Sequence, residues 1–161
     1  MDYDNVDSDD KAPSLVGRYL SEDLVSFLDV GGRDEALAAL VEVIDAAGKL
    51  EDKDAFFQAI LERESIVSTG IGMGVAIPHA KLPEYDDFFI AIGISRQGLD
   101  WNSVDGAPVR LIFMIGGPDD RQTDYLQILS SLTMALKDDR TRKRLLHLTS
   151  PEEIIRVLEG C

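Results

Sequence analysis

Apolar residues recur along this chain with two periods, and the switches between them mark its elements. Over residues 33–47, Leu37, Leu40, Val41 and Ile44 stand at i, i+3, i+4 and i+7, which predicts an amphipathic helix with Gly48 as its C-terminal cap. Asp52 is placed as the N-cap of a second helix carrying Phe56, Phe57, Ile60 and Leu61 and ending near Arg63-Glu64. Short apolar runs predict strands at about 25–28, 75–77, 88–95 and 109–115. The last is apolar at every position but Arg110, as expected of a strand covered on both faces. Gly116-Gly117-Pro118 reads as its stop, followed by a long helix with the stripe Tyr125, Leu129, Leu132 and Leu136. Two shorter helices complete the chain. The second opens on Ser150-Pro151-Glu152-Glu153, an N-cap serine, a proline at the first helical position and a capping-box glutamate in register.

Helices in pairs around a few central strands, with no internal repeat and no linker, predict an α/β (α+β) fold: a three-layer α/β/α sandwich with a central mixed β-sheet. Residues 15–161 form one expected domain. Residues 1–14 hold Asp2, Asp4, Asp7, Asp9 and Asp10 with little apolar content, and are expected to be a disordered acidic tail.

Composition narrows the function classes. With 161 residues, 45% of them apolar, the chain can bury a core without disulfides or metals. The single cysteine, Cys161, has no partner, and neither a signal-peptide pattern nor an apolar run of membrane-spanning length is present, so a cytoplasmic setting is expected. Thirty acidic against 16 basic side chains give a net charge of −14, which repels phosphate backbones and argues against nucleic acid as a partner. Two histidines with no C-x-x-C and no H-x-x-x-H offer no metal-ligand set, and no cofactor is expected.

The candidate chemistry lies in Gly70-Ile71-Gly72-Met73-Gly74 and in Ile77-Pro78-His79-Ala80. Glycine at alternate positions weakens a strand and marks a close approach to the backbone, and exposed N–H groups there attract anions. Pro78 fixes its own φ and biases Ile77 toward extended geometry, so His79 is aimed. An imidazole near its ordinary pKa of about 6.5 is largely a neutral nucleophile at pH 7. Two readings stay open on spacing alone: a phosphoryl site built from Gly70, Gly72 and Gly74 beside His79, or a glycine-rich hairpin followed by a packing histidine. Arg63 offers a fork that matches phosphoryl oxygens, or a solvated helix end. Thr69 can donate to a phosphoryl oxygen or cap a turn, and Glu64 can orient Arg63 or stand on the surface. His147, in an apolar helical context away from these motifs, is expected to be structural or surface-exposed.

Arg63-Glu64, Ser68-Thr69-Gly70-Ile71-Gly72 and Gly74-Val75-Ala76-Ile77-Pro78-His79-Ala80-Lys81 together resemble the active-site signature of enzyme IIA domains of the mannitol/fructose type. Within that family the chain is most similar to the nitrogen-regulatory enzyme IIA of the phosphotransferase system. Asp105-Gly106-Ala107-Pro108-Val109 and Tyr125-Leu126-Gln127-Ile128-Leu129 extend the match, over roughly residues 20–159. The resemblance implies the same sandwich fold and a phosphoryl group accepted on His79 from an HPr-like phosphocarrier. Arg63 would flank it, and the Gly70–Gly74 backbone would help stabilise it. It implies a downstream regulatory protein or sugar-specific component. Tyr125 departs from the pattern, because related domains commonly carry a second histidine there. A regulatory partner-binding module with weak or no phosphotransfer is the alternative.

Overall fold

The computed structural model describes residues 15–160; the acidic segment 1–14 and Cys161 lie outside the described residues. Two short 3-10 turns, Val16–Tyr19 and Glu22–Leu24, lead into β1 (Val25–Phe27). Helices α1 (Arg33–Ala46) and α2 (Lys53–Ile66) follow, then three short strands, β2 (Gly70–Gly72), β3 (Val75–Ala76) and β4 (His79–Lys81). The long strands β5 (Phe89–Leu99) and β6 (Val109–Gly117) come next, and α3 (Gln122–Lys137), α4 (Asp139–His147) and α5 (Pro151–Glu159) close the chain. The caps are where the sequence puts them: Asp52 accepts from the Ala55 N–H at 3.1 Å, and Ser150 Oγ from the Glu153 N–H at 3.2 Å.

All six strands join one mixed sheet in the order β1-β5-β6-β3-β2, with β4 continuing beside β6 on the edge that β3 occupies. β5 and β6 are antiparallel, whereas β1 runs parallel to β5, and β3 and β4 parallel to β6. Successive side chains on a strand point to opposite faces. Ala91, Ile112 and Met114 therefore pack beneath Leu37, Leu40 and Ile44 of α1 and Phe56 and Ile60 of α2. Ile90, Ile92, Leu111, Phe113 and Ile115 pack on the other face against Ile128, Leu132 and Leu136 of α3 and Ile154 and Leu158 of α5. Two cores on two faces of one sheet make the α/β/α sandwich.

Two boundaries differ from the sequence reading, and β2 and β4 are short strands that it did not predict. β6 runs through Gly116-Gly117 instead of stopping before them. A Cβ on Gly116 would stand 2.4 Å from the Phe89 ring, and one on Gly117 2.3 Å from that of Phe88. These glycines make room for two aromatic rings and do not break the strand. β5 continues past Ser95 to Leu99, with a register shift against β6 between Ile94 and Leu99 that carries its polar end out of the core. Among the described residues, no helix is long and apolar enough to cross a membrane.

Candidate functional site

β4 is three residues long, and its alternation decides what it presents: Ala80 is buried, while His79 and Lys81 share the opposite side. Pro78 positions it by accepting from the Ile115 N–H at 2.9 Å. The His79 ring is half-buried, with Nδ1 3.1 Å from the Ile77 carbonyl oxygen. A carbonyl can only accept, so Nδ1 carries the proton and Nε2 is left with a free lone pair. Burial of the ring lowers its pKa below the ordinary 6.5, and the charges of Arg63 and Lys81 lower it further, against the raising effects of the Ile77 bond and Glu64. The imidazole is thus neutral at pH 7, with its nucleophilic nitrogen defined.

Three side chains surround it. Tyr125, buried in the first turn of α3, places its ring centroid 5.4 Å from that of His79 at an interplanar angle of 47°. Burial raises the phenol pKa, with Arg63 pulling the other way, so the hydroxyl stays protonated and able to donate. Lys81 Nζ lies 4.1 Å from the Tyr125 ring centroid and donates to Gln122 Oε1 at 2.7 Å. The ammonium is held by the ring face and the amide together. Arg63, in the last turn of α2, donates from Nη1 to the Val67 carbonyl at 2.9 Å, leaving its remaining N–H groups for other partners.

Glu64 takes neither of the roles expected for it. It is 4% exposed, and its carboxylate accepts from the Thr69 N–H at 2.8 Å and from the Thr69 hydroxyl at 2.6 Å. The same hydroxyl accepts from Trp101 Nε1 at 3.2 Å. Thr69 therefore has its one proton committed to Glu64 and is not aimed at His79. This buried chain of bonds ties the end of α2 to the start of β2 and fixes the turn that carries Arg63.

The glycines build a hairpin. β2 and β3 pair antiparallel, and at the tip Gly72, Met73 and Gly74 have φ of 96°, 61° and 76°. Gly72 and Gly74 adopt such values without the strain that an L side chain meets, and Met73 between them lies in the left-handed region despite its side chain. Asp105 Oδ2 accepts from the Met73 N–H at 3.0 Å and holds the tip. Gly70 packs its backbone against Ser103, whose Oγ a Cβ would meet at 2.2 Å. Along β6, Val75 pairs with Leu111 and His79 with Ile115. Four residues of strand separate them, about 13 Å. The structure thus brings Arg63 and Tyr125 to His79 but not Gly72 or Gly74, while Gly70 and Thr69 stand between. His147 lies on α4 with Nδ1 2.8 Å from the Lys143 carbonyl, away from all of these.

Lys81 and Gln122 are the site residues that the sequence reading did not single out. The signal for Lys81 was present: two residues beyond His79 in an extended segment is the same face. Among the described residues, no three His, Cys, Asp or Glu side chains come together so as to hold a metal ion.

The model of one protein family, described as phosphoenolpyruvate-dependent sugar phosphotransferase system, EIIA 2, matches residues 18–161. The chain is 42% identical over 126 residues to the PTS system fructose-specific EIIABC component of Bacillus subtilis, a match that covers 78% of this chain and 20% of that much longer protein. It is 31% identical over 138 residues to a nitrogen regulatory protein of Bradyrhizobium diazoefficiens, covering 85% of this chain and 89% of the relative. Among solved structures, nitrogen regulatory protein IIA-Ntr from Neisseria meningitidis superposes with a TM-score of 0.84 at 27% identity, over 90% of this chain and 99% of that one.

Proposed function

This chain belongs to the EIIA 2 family of the phosphoenolpyruvate-dependent sugar phosphotransferase system, and we propose that His79 is its phosphoryl-carrying residue, loaded in the cytoplasm by an HPr-like phosphocarrier. The observation that carries the assignment is the contact of Nδ1 with the Ile77 carbonyl on a half-buried, neutral ring. It leaves Nε2 as the only nitrogen able to attack.

In the step, the Nε2 lone pair forms a bond to phosphorus while the P–N bond of the carrier's phosphohistidine breaks, and that bond's electron pair returns to the donor imidazole. His79 keeps its Nδ1 proton on the Ile77 carbonyl, so the phosphorylated ring carries one positive charge beside the anionic phosphoryl group. Such a transfer requires positioning and charge stabilisation more than acid–base chemistry. Arg63 supplies a planar fork of donors and Lys81 a second cation, while the protonated Tyr125 hydroxyl is a neutral donor. Thr69 and Glu64 act by fixing the turn after Arg63. Onward transfer to a downstream protein uses the same groups.

A second reading, a regulatory module whose partner affinity is switched by His79 phosphorylation, is favoured by the nitrogen regulatory relative and by Tyr125 in the place of a second histidine. Incubation with labelled phosphoenolpyruvate, enzyme I and HPr tests the carrier assignment. Label stable in base, labile in acid and absent from His79→Ala is expected. Label that persists in His79→Ala, or that survives acid, overturns it.

A further inference from the structure

The strongest positive feature of this acidic protein stands away from His79. Four of the chain's 16 basic side chains, Arg140, Arg142, Lys143 and Arg144, fall on the nine residues of α4, with Asp139 the only acid among them. Asp139 engages Arg142 and Lys143 at 3.0 and 2.9 Å. Arg140 and Arg144 face the other way. Among the described residues, no carboxylate or carbonyl accepts a hydrogen bond from either guanidinium.

The two arginines stand at i and i+4, where like charges on a helix repel. Among the described residues neither arginine has an ion-pair partner, although the chain carries 30 acidic side chains. Between α4 and α5, Arg140, Thr141, Arg144 and Arg156 border a cavity of about 330 Å³, with Leu148 and Val157 forming part of its wall. Among the described residues, the Arg156 side chain is held only by an exposed i, i+4 pair with Glu152 at 2.6 Å, a contact that a better anion displaces easily. Glu153 also borders the cavity, its carboxylate accepting from the Ser150 hydroxyl at 3.1 Å, so the lining sets three guanidinium groups against one carboxylate. Three guanidinium groups and a hydroxyl are the donor set that matches phosphoryl oxygens, and the volume lies at the lower end for small-molecule sites, about 300–1,000 Å³.

We propose that the α4–α5 groove is a binding site for a phosphorylated small metabolite, its phosphate clamped by Arg140, Arg144 and Arg156 and its uncharged part against Leu148 and Val157. The site is separate from the phosphoryl carrier. Tyr125 and Asp138 are thirteen residues apart along α3 and its C-cap, a rise of about 20 Å. Net charge −14 argues against a nucleic-acid polyanion as the occupant.

The test is an amide NMR titration of the full chain with AMP and with glucose 6-phosphate as probes, adenosine as the uncharged control and sodium chloride matching ionic strength. A saturable response to at least one phosphorylated probe, confined to residues 140–160 and absent with adenosine and chloride, is expected. Arg140→Gln/Arg144→Gln should weaken it about tenfold or more, since two of the three guanidinium groups that bond the phosphate are removed. The double variant should keep its spectral dispersion and its labelling at His79, and His79→Ala should bind the probe like the parent. No saturable response to either probe, equal response to adenosine or chloride, a response centred on His79, or unchanged affinity in the double variant overturns the proposal. So does a response to a poly-aspartate peptide alone.

Discussion

Replacing the hairpin-tip glycines by valine separates a structural role from a phosphoryl-binding one. Gly72 has φ of 96° and Gly74 of 76°, where an L side chain costs about 1–2 kcal/mol and a β-branched one more. At Gly72 the new Cβ would stand 3.2 Å from Asp105 Oδ2, the oxygen that accepts from the Met73 N–H. Disturbing that exposed bond adds to the cost at Gly72. At Gly74 the nearest atom is the Pro108 carbonyl oxygen at 3.5 Å, an ordinary contact, so only the backbone term remains. Gly74→Val should therefore cost at least about 1–2 kcal/mol, and Gly72→Val more. For a chain of this size each kcal/mol lowers Tm by about 2–4 °C, giving a drop of at least about 2–8 °C for Gly74→Val and a larger one for Gly72→Val. Both variants, labelled well below their Tm, should accept phosphoryl groups within about twofold of the parent, because the tip lies about 13 Å of strand from His79. Circular dichroism melts and labelling with phosphorylated HPr provide the two readouts. Loss of labelling with an unchanged Tm in either variant would show that the tip backbone touches the phosphoryl group, and would refute the assignment of these glycines to turn geometry.

Arg63→Lys should slow transfer in single-turnover kinetics by more than about tenfold with Tm unchanged, because a point charge cannot make paired contacts to phosphoryl oxygens; an unchanged rate removes Arg63 from the reaction. Glu64→Ala should destabilise the domain by about 2–4 kcal/mol, since it strands the Thr69 N–H and hydroxyl in a buried setting, and an unchanged denaturation midpoint counts against the network. For His79, the folded-state pKa is depressed, so its neutral form contributes stability that is present above 6.5 and lost as pH falls through the folded value. The transfer rate should accordingly be flat between about pH 7 and 8 and fall only on acidification, with the ring titrating below 6.5 by NMR; a ring pKa at or above 6.5 contradicts this. Lys81→Gln should raise that pKa by removing a nearby positive charge, and no change would place the ammonium away from the ring.

The legible parts of the fold were those set by local chemistry. The period of 3.6 in α1, the Asp52 cap and the Ser150 capping box depend on neighbours within one turn, and each sits where the residues predict. Gly116 and Gly117 misled because their reason is tertiary: the rings of Phe89 and Phe88 come from the other long strand, and nothing local distinguishes such glycines from a strand stop. The glycine run before His79 was ambiguous for a similar reason. Its spacing fitted both a nest and a hairpin, and the choice depended on where Asp105, far along the chain, would stand.

Glu64 and Thr69 show a different limit. A polar side chain next to a catalytic motif reads as part of the chemistry, yet burial converts this pair into a joint between α2 and β2, completed by Trp101 from a distant loop. Tyr125 shows what that joint and the α3 stripe are for. Burial keeps its phenol protonated, and its ring is shared by two residues of one short strand, His79 5.4 Å away and Lys81 with its ammonium 4.1 Å from the ring centre. A second histidine at this position would bring a group that titrates near neutrality. The tyrosine instead brings a neutral donor and a ring face on which the Lys81 ammonium rests beside His79.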